Sequence, residues 1–361
     1  MPRVLIVTAA MGAGHTRVAS ELARRLDEEG AEAEVVDVLA LAGRAGRRLQ
    51  RAYRLLLSYA PWLYDAAMRY WARYPGPLER LVAGRSGAAE RVLRAAVAEH
   101  RPDVVVSTYN LAAQALGRLA AHGEVSTPLV TLVTDPGAHP YWVSRSATLH
   151  IAALPQTAAR LEAFGAMRTA VAPPVLRPQL RTVPTPHAAR QLLGLPTGRI
   201  ALVTAGSWAA GRVRRTVTAL AALPDVFVVV VCGTDARLCA TLTGRPGVRA
   251  FGWTEQLPAY LAAVDVVVDN AGGLTCWEAL ACGTPVVLFH PLPGHGRFNA
   301  ATLAEAGLVR AARTRAELRA AVSAPATVPP LPWVGAPEAE AHILAVARNG
   351  PVSRNDSHAR A

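Results

Sequence analysis

Val264-Asp265-Val266-Val267-Val268-Asp269-Asn270-Ala271-Gly272-Gly273-Leu274-Thr275-Cys276-Trp277-Glu278 is the stretch whose reading decides the fold. Residues 264–268 read as a buried strand, the glycine pair as a tight turn, and Leu274 onward as a helix. Glycines let a backbone approach a ligand closely, and the unpaired N–H groups of a helix start attract phosphate oxygens. Glu278, one turn into the helix, is placed to accept hydrogen bonds from a ribose diol, as acids do in many nucleotide folds. A purely structural strand–turn–helix would look similar, so the surroundings decide. His290-Pro291-Leu292-Pro293-Gly294-His295-Gly296-Arg297-Phe298-Asn299 follows the next apolar run, at the strand edge where doubly wound sheets bind ligands. Such a polar loop could hydrogen-bond the hydroxyls of a hexose. Phe251-Gly252-Trp253, at another strand end, could offer backbone groups to a base edge.

The same plan recurs at the start of each half. Val4-Leu5-Ile6-Val7 leads to Gly12-Ala13-Gly14-His15, and Val18, Leu22 and Leu26 then share one helix face. Ile200-Ala201-Leu202-Val203 leads to Gly206-Ser207-Trp208 and Gly211. Further buried strands are expected at 33–38, 104–107, 129–134 and 149–153, then at 226–231, 248–251 and 286–289. They are apolar runs without polar alternation, as parallel strands covered on both faces require. Pro173, Pro174, Pro178, Pro184 and Pro186 cluster between the halves and read as a linker. The expected architecture is α/β: an N-terminal Rossmann-like domain (1–172), a linker (173–188), a C-terminal Rossmann-like domain holding the nucleotide (189–348) and a disordered tail (349–361).

The 361 residues are 52% hydrophobic and 6% aromatic, enough for two cores. No apolar run approaches the roughly 18 to 20 residues needed to cross a bilayer. Arg3 ahead of an apolar stretch resembles a signal peptide, but no small-residue cleavage site precedes the glycine turn and amphipathic helix. A buried first strand and a cytoplasmic location are the better expectation. Cys232, Cys239, Cys276 and Cys282 form no C-x-x-C pair and read as core residues rather than a metal site. The formal charge of +12 comes from arginine alone, since the chain has no lysine. Coding bias explains that blandly; attraction to an anionic partner explains it functionally. The basic residues are densest at 44–54, with no nucleic-acid-binding motif nearby, so an anionic membrane surface is preferred to nucleic acid. Residues 41–74 interleave Arg44, Arg47, Arg48, Arg51, Arg54, Arg69 and Arg73 with Leu55, Leu56, Leu57, Trp62, Tyr64, Tyr70 and Trp71. That pattern fits either an interfacial amphipathic segment, peripheral on the inner face of the cell membrane, or an ordinary helical excursion packed on its own domain.

With these motifs together, the sequence resembles GT-B glycosyltransferases of the group holding monogalactosyldiacylglycerol synthases, processive diacylglycerol glucosyltransferases and the peptidoglycan enzyme acting on lipid I. The resemblance rests on Gly12 to His15, Thr134-Asp135-Pro136-Gly137-Ala138-His139-Pro140-Tyr141-Trp142, Gly206-Ser207-Trp208, Gly252-Trp253, the Asn270 to Glu278 run and Pro293 to Asn299. It implies two Rossmann-like domains facing across a cleft and an inverting transfer of a hexose from a UDP-sugar to a lipid, diacylglycerol-like or other hydrophobic acceptor. His15 would be the base, since histidine titrates near working pH, with Asp135 and His139 beside it. Gly12, Gly14 and Trp142 would lie on the acceptor side. Gly206, Ser207, Gly252, Trp253, Gly272, Gly273, Leu274, Thr275 and Glu278 would hold the donor nucleotide, and His295 and Asn299 its sugar. The chain has no D-x-D, so no metal or other cofactor is expected, and helix N-termini with Arg212 would stabilise the leaving group. Relatives often carry glutamine at His295 and an acid at Gly296, so the resemblance leaves the donor sugar open. A nucleotide-sugar epimerase, a silent nucleotide-sugar binder and a transferase acting on a secondary metabolite remain as alternatives.

Overall fold

The computed structural model describes residues 1–74, 87–324 and 326–349. Among them the first half holds strands β1 (Arg3–Thr8), β2 (Glu32–Asp37), β3 (Val104–Ser107), β4 (Leu129–Leu132), β5 (Leu149–Ala152) and β6 (Thr169–Val171). Its helices are α1 (Ala13–Glu28), α2 (Val38–Leu41), α3 (Arg44–Tyr59), α4 (Pro61–Arg73), α5 (Gly87–His100), α6 (Asn110–Ala121) and α7 (Pro155–Ala163). The second half holds β7 (Arg199–Thr204), β8 (Val226–Val231), β9 (Val248–Phe251), β10 (Val266–Asp269), β11 (Val286–Phe289) and β12 (Arg310–Ala312). Around them lie α8 (Pro186–Leu192), α9 (Val213–Ala221), α10 (Ala236–Leu242), α11 (Leu257–Ala263), α12 (Leu274–Ala281), α13 (His295–Glu305), α14 (Arg315–Ser323) and α15 (Ala339–Asn349).

Each half is one all-parallel sheet with helices on both faces. The orders are β2-β1-β3-β4-β5-β6 and β12-β11-β10-β7-β8-β9. The first sheet reverses direction between β1 and β3, the second between β7 and β10. Those reversals leave crevices at the carboxyl ends of the strands, where doubly wound folds take ligands. The glycine turns of the sequence sit at these two places, so both motifs are at switch points.

The central strands are apolar throughout because both faces are covered: Val4, Ile6, Val104 and Val106 pack under α1, while Leu5, Val7 and Val105 meet the opposite helices. Edges behave differently. β2 exposes 37% of Val35 and alternates it with Glu32 and Glu34, so it is not covered on both faces as its composition suggested. The edge strands β6 and β12 are three residues each, too short to stand out as apolar runs.

The domain boundary also differs from chain order. α15 crosses back and places Ile343, Leu344 and Val346 in the core of the first sheet, beside Leu22 and Leu26 of α1. The buried Arg25 fixes this crossing. It donates to the carbonyl of Leu176 at 2.7 Å, and pairs with Glu21 at 2.8 Å and with Glu338 at 3.2 Å. One α1 side chain thus grips both segments that pass between the domains. Of the tail expected at 349–361, only Asn349, the end of α15, lies among the described residues.

Two buried histidines give the N-terminal domain a pH signature. Burial lowers His139 and His150 to about 4, and the Nε2 of His150 accepts from the N–H of Ser144 at 3.2 Å. The unfolded chain takes these protons near pH 6.5. Stability is therefore complete above about 6.5 and falls as the pH drops toward 4, by roughly 3 kcal/mol per histidine. Urea unfolding at pH 7.5 and 5 should show this loss, and His150→Gln should reduce it; equal stability at both pH values would contradict the assignment.

Candidate active site

The carboxyl ends of the two sheets enclose a cavity of about 270 Å³. From the sequence-derived site residues, Gly12, Gly14, His15, Asp135, Gly206, Ser207, Trp253, Gly273, Leu274, Thr275, Glu278 and His295 all line it. The two glycine turns nearly touch: a Cβ on Gly12 would lie 3.7 Å from the Ser207 hydroxyl, and one on Gly14 3.9 Å from Leu274 Cβ. Gly12 has φ +112°, a backbone conformation that excludes most side chains.

His15 opens α1 and leans over the β1/β3 crevice. Its Nδ1 is 2.9 Å from the carbonyl of Thr108, just after β3, and 3.2 Å from the Thr134 hydroxyl. A carbonyl can only accept, so Nδ1 carries the proton and Nε2 keeps a free lone pair. The ring meets Tyr109 edge-on at 5.5 Å. Burial lowers its pKa, aided by His295; Asp135 and the Thr108 carbonyl act the other way without restoring the ordinary value. His15 is therefore neutral at pH 7 and oriented as a proton acceptor.

Asp135 stands among three histidines. Burial disfavours its charge, but His295, His15, His139 and the Asn299 amide outweigh this and hold the carboxyl below the usual range. It accepts from Trp142 Nε1 at 3.1 Å and Asn299 Nδ2 at 3.2 Å. It supplies negative charge behind His15 rather than a direct hydrogen bond to its Nδ1, which Thr108 occupies. His139 and Trp142, read from sequence as base partner and acceptor wall, do not line the cavity. His139 is buried with its Nε2 3.5 Å from Asn110 Nδ2, and the fully buried indole of Trp142 serves to hold Asp135.

On the opposite wall, Asp269 ends β10 and organises the glycine loop. Its Oδ2 accepts from the N–H of Ala271 at 2.9 Å and of Gly272 at 2.7 Å, and Thr204 donates to Oδ1 at 3.2 Å. The Gly272 amide is thus committed within the loop and does not line the cavity. Gly272 has φ +65°, and a Cβ there would come 2.8 Å from that of Asn299. The amides left for an anion are those at the α12 start, where Gly273 caps the helix without a side-chain bond.

Glu278 is 2% exposed and forms a 2.6 Å ion pair with Arg177 Nε. Burial raises its pKa and Arg177 opposes that only in part; the ion pair engages Oε1, and Glu278 lines the cavity. Arg177 was missed in the sequence because it stands in a proline-rich linker that reads as a spacer. Trp253 is stacked under the Arg17 guanidinium, 4.7 Å from the ring centroid, and donates to Glu255 at 2.7 Å. The neighbouring Gly252 does not line the cavity, nor does Arg212, which is exposed at the start of α9. Asn299 was expected to face the donor sugar. It is instead buried and tied to both domains, with Oδ1 accepting from Gly137 N–H at 3.0 Å and Nδ2 donating to Ala271 O at 3.2 Å.

The excursion at 41–74 forms the third wall. Tyr53 of α3 meets Trp208 of the C-terminal domain at 6.2 Å, and Tyr64 of α4 lies 3.2 Å from His295 Nδ1. Its other side is bare: Leu55, Tyr59, Trp62, Leu63 and Tyr70 are exposed beside Arg47, Arg48, Arg51 and Arg54. Among the described residues, no helix is long and apolar enough to cross a membrane, and no three His, Cys, Asp or Glu side chains are grouped to hold a metal.

Two family models match the chain: monogalactosyldiacylglycerol (MGDG) synthase over residues 15–173, and the glycosyltransferase family 28 C-terminal domain over residues 200–321. The processive diacylglycerol beta-glucosyltransferase of Bacillus thuringiensis (strain Al Hakam) is 24% identical over 308 residues, covering 83% of this chain and 79% of that protein. Its counterpart from Bacillus mycoides is 23% identical over 332 residues, covering 90% and 85%. MurG of Acinetobacter baumannii superposes with a TM-score of 0.54 at 18% identity, over 89% of each chain. The Streptomyces glycosyltransferase SsfS6, complexed with thymidine diphosphate, gives 0.58 at 17% identity over 97% of each. Sheet topology, switch-point loops and these matches define a glycosyltransferase of the GT-B fold. Within that class the chain is related to the monogalactosyldiacylglycerol synthases and the processive diacylglycerol glucosyltransferases.

The Arg177–Glu278 pair makes a direct prediction. Arg177→Met leaves a buried carboxylate without its counter-charge and should cost about 3 kcal/mol of stability. Chemical denaturation measures this, and a loss under about 0.5 kcal/mol would mean that solvent already screens the pair.

Proposed function

We propose that the protein transfers a hexose from a UDP-sugar to a hydroxyl of a lipid acceptor, diacylglycerol-like in character, with inversion and without a metal. The observation that carries this reading is His15, tied through Nδ1 to Thr108, in one cavity with the amide turn 273–275 and Glu278. The acceptor hydroxyl gives its proton to His15 Nε2 while its oxygen bonds to the anomeric carbon. The bond from that carbon to the diphosphate breaks, and the nucleoside diphosphate leaves with the electron pair. The α12 start stabilises the departing charge through its amides and dipole, and Glu278 Oε2 takes a ribose hydroxyl. The relatives named for diacylglycerol transfer support the lipid acceptor.

The exposed face of α3 and α4 supports peripheral attachment to an anionic bilayer at the inner face of the cell membrane. Arginines there would meet headgroups while Leu55, Tyr59, Trp62 and Leu63 enter the interface. In vesicle flotation the protein should rise with phosphatidylglycerol vesicles at low salt and much less with neutral ones. Equal recovery from both would remove the electrostatic part of this reading.

Screening nucleotide sugars by thermal shift, then analysing products from a lipid extract by mass spectrometry, tests donor and acceptor together. A uridine nucleotide should stabilise the fold and a glycolipid should appear; stabilisation by no uridine nucleotide would overturn the donor. His15→Ala should lower kcat by about 100-fold or more while nucleotide affinity holds. Because His15 has a lowered pKa, the acid limb of kcat/KM should have its midpoint below 6.5. Turnover unaffected by His15→Ala would exclude the histidine as base.

A further inference from the structure

The turn at Gly294–His295 is built against α4 of the opposite domain. The Asp65 carboxylate, 4% exposed, accepts from the Gly294 N–H at 2.9 Å. The same carboxylate pairs with Arg297 Nε and with Arg69, each at 3.2 Å. Gly294 has φ +71°, and a Cβ added there would lie 2.4 Å from Tyr64 Cε1 and 2.9 Å from Met68 Cγ. No slack exists between helix and turn, so the turn takes its shape from α4. Tyr64 Oη then meets His295 Nδ1 at 3.2 Å, with the rings at 6.0 Å. His295 has two ring nitrogens, and this contact leaves Nε2 as its one polar atom for the cavity.

We propose that Tyr64 and Asp65 are positioning residues for the donor sugar, acting through His295. The phenol stays protonated, since burial raises its pKa, so it can donate to Nδ1 or accept from Nδ1–H. Either way the contact ties Nδ1 to the phenol and holds the imidazole ring in one orientation. A site that presents one oriented polar atom discriminates hydroxyl configuration more sharply than a free imidazole, which can turn to suit either epimer. Asp65 holds the backbone of the turn so that the ring stays in this register. The acceptor domain thereby supplies part of the donor-sugar selectivity, through contacts that exist only while the domains are together. The inference rests on the proposed UDP-hexose donor.

Tyr64→Phe removes one hydroxyl and is the first variant to measure; Asp65→Asn is the second, with thermal melting of both. Donor KM is measured for UDP-glucose and UDP-galactose, alongside the affinity for UDP alone. Tyr64→Phe should raise the KM of the preferred donor about fivefold, the weight of one hydrogen bond, and narrow the epimer preference similarly. UDP affinity should stay within about twofold. A merely structural role would move UDP affinity and melting together and leave the epimer ratio alone, which overturns the proposal. So would an unchanged epimer ratio in both variants when His295→Ala alters it. If His295→Ala changes neither donor KM nor epimer ratio, the donor-sugar reading of this loop itself fails.

Discussion

Asn299 joins the two domains at the point where the chemistry is set. Its amide nitrogen donates to Asp135 and to the Ala271 carbonyl, and its oxygen accepts from Gly137. Three segments from two domains therefore share one side chain that is 1% exposed. Each buried polar group left without its partner would cost about 1–3 kcal/mol, so the three bonds hold one geometry and penalise others. The close packing agrees: a Cβ on Gly137 would fall 2.4 Å from the carbonyl carbon of Phe298. With the bridge made, Asp135 sits behind His15, and the 270s loop faces the Gly12 turn.

The site follows from that register. Each sheet reverses direction where its glycine turn stands, and each reversal contributes one function. The β1/β3 crevice carries a histidine whose tautomer is fixed by a carbonyl. The β7/β10 crevice carries a helix start with uncapped amides and a buried acid held by an arginine from the linker. In the proposed reaction the base comes from one half and the anion site from the other, so that transfer would require the domains to meet. Arg25 and Arg177 bear on the same requirement, since adjacent linker residues, Leu176 and Arg177, are bound by α1 and by Glu278 respectively.

Much of this was legible in the sequence, for physical reasons. Central parallel strands must be apolar on both faces, so most of them were readable as runs. Glycines at φ values such as +112° and +65° marked turns that no other residue accommodates well. Side chains whose partners are far away in sequence were not legible. The apolar face of α15 announces burial but not which sheet it covers. Asn299 and Trp142 looked like ligand contacts because polar and aromatic residues beside a motif usually are; both are instead used to hold Asp135. Arg177 was hidden among prolines, and Asp269, just past the expected strand, carried no sign in the sequence that it organises the glycine loop. The segment 41–74 looked like a choice between membrane contact and internal packing. Opposite faces of α4 show why composition could not choose: Tyr64 and Asp65 grip the second domain, while Trp62 and Leu63 are exposed.

The proposed inverting transfer puts His15 and the α12 turn on opposite sides of one reacting carbon. The anomeric configuration of the product tests it most directly, read by proton NMR from the coupling of the transferred sugar's anomeric hydrogen. A single displacement on an α-linked nucleotide sugar should give a β-glycoside. An α-glycoside formed from the same donor would contradict the arrangement and require a different path across the cleft.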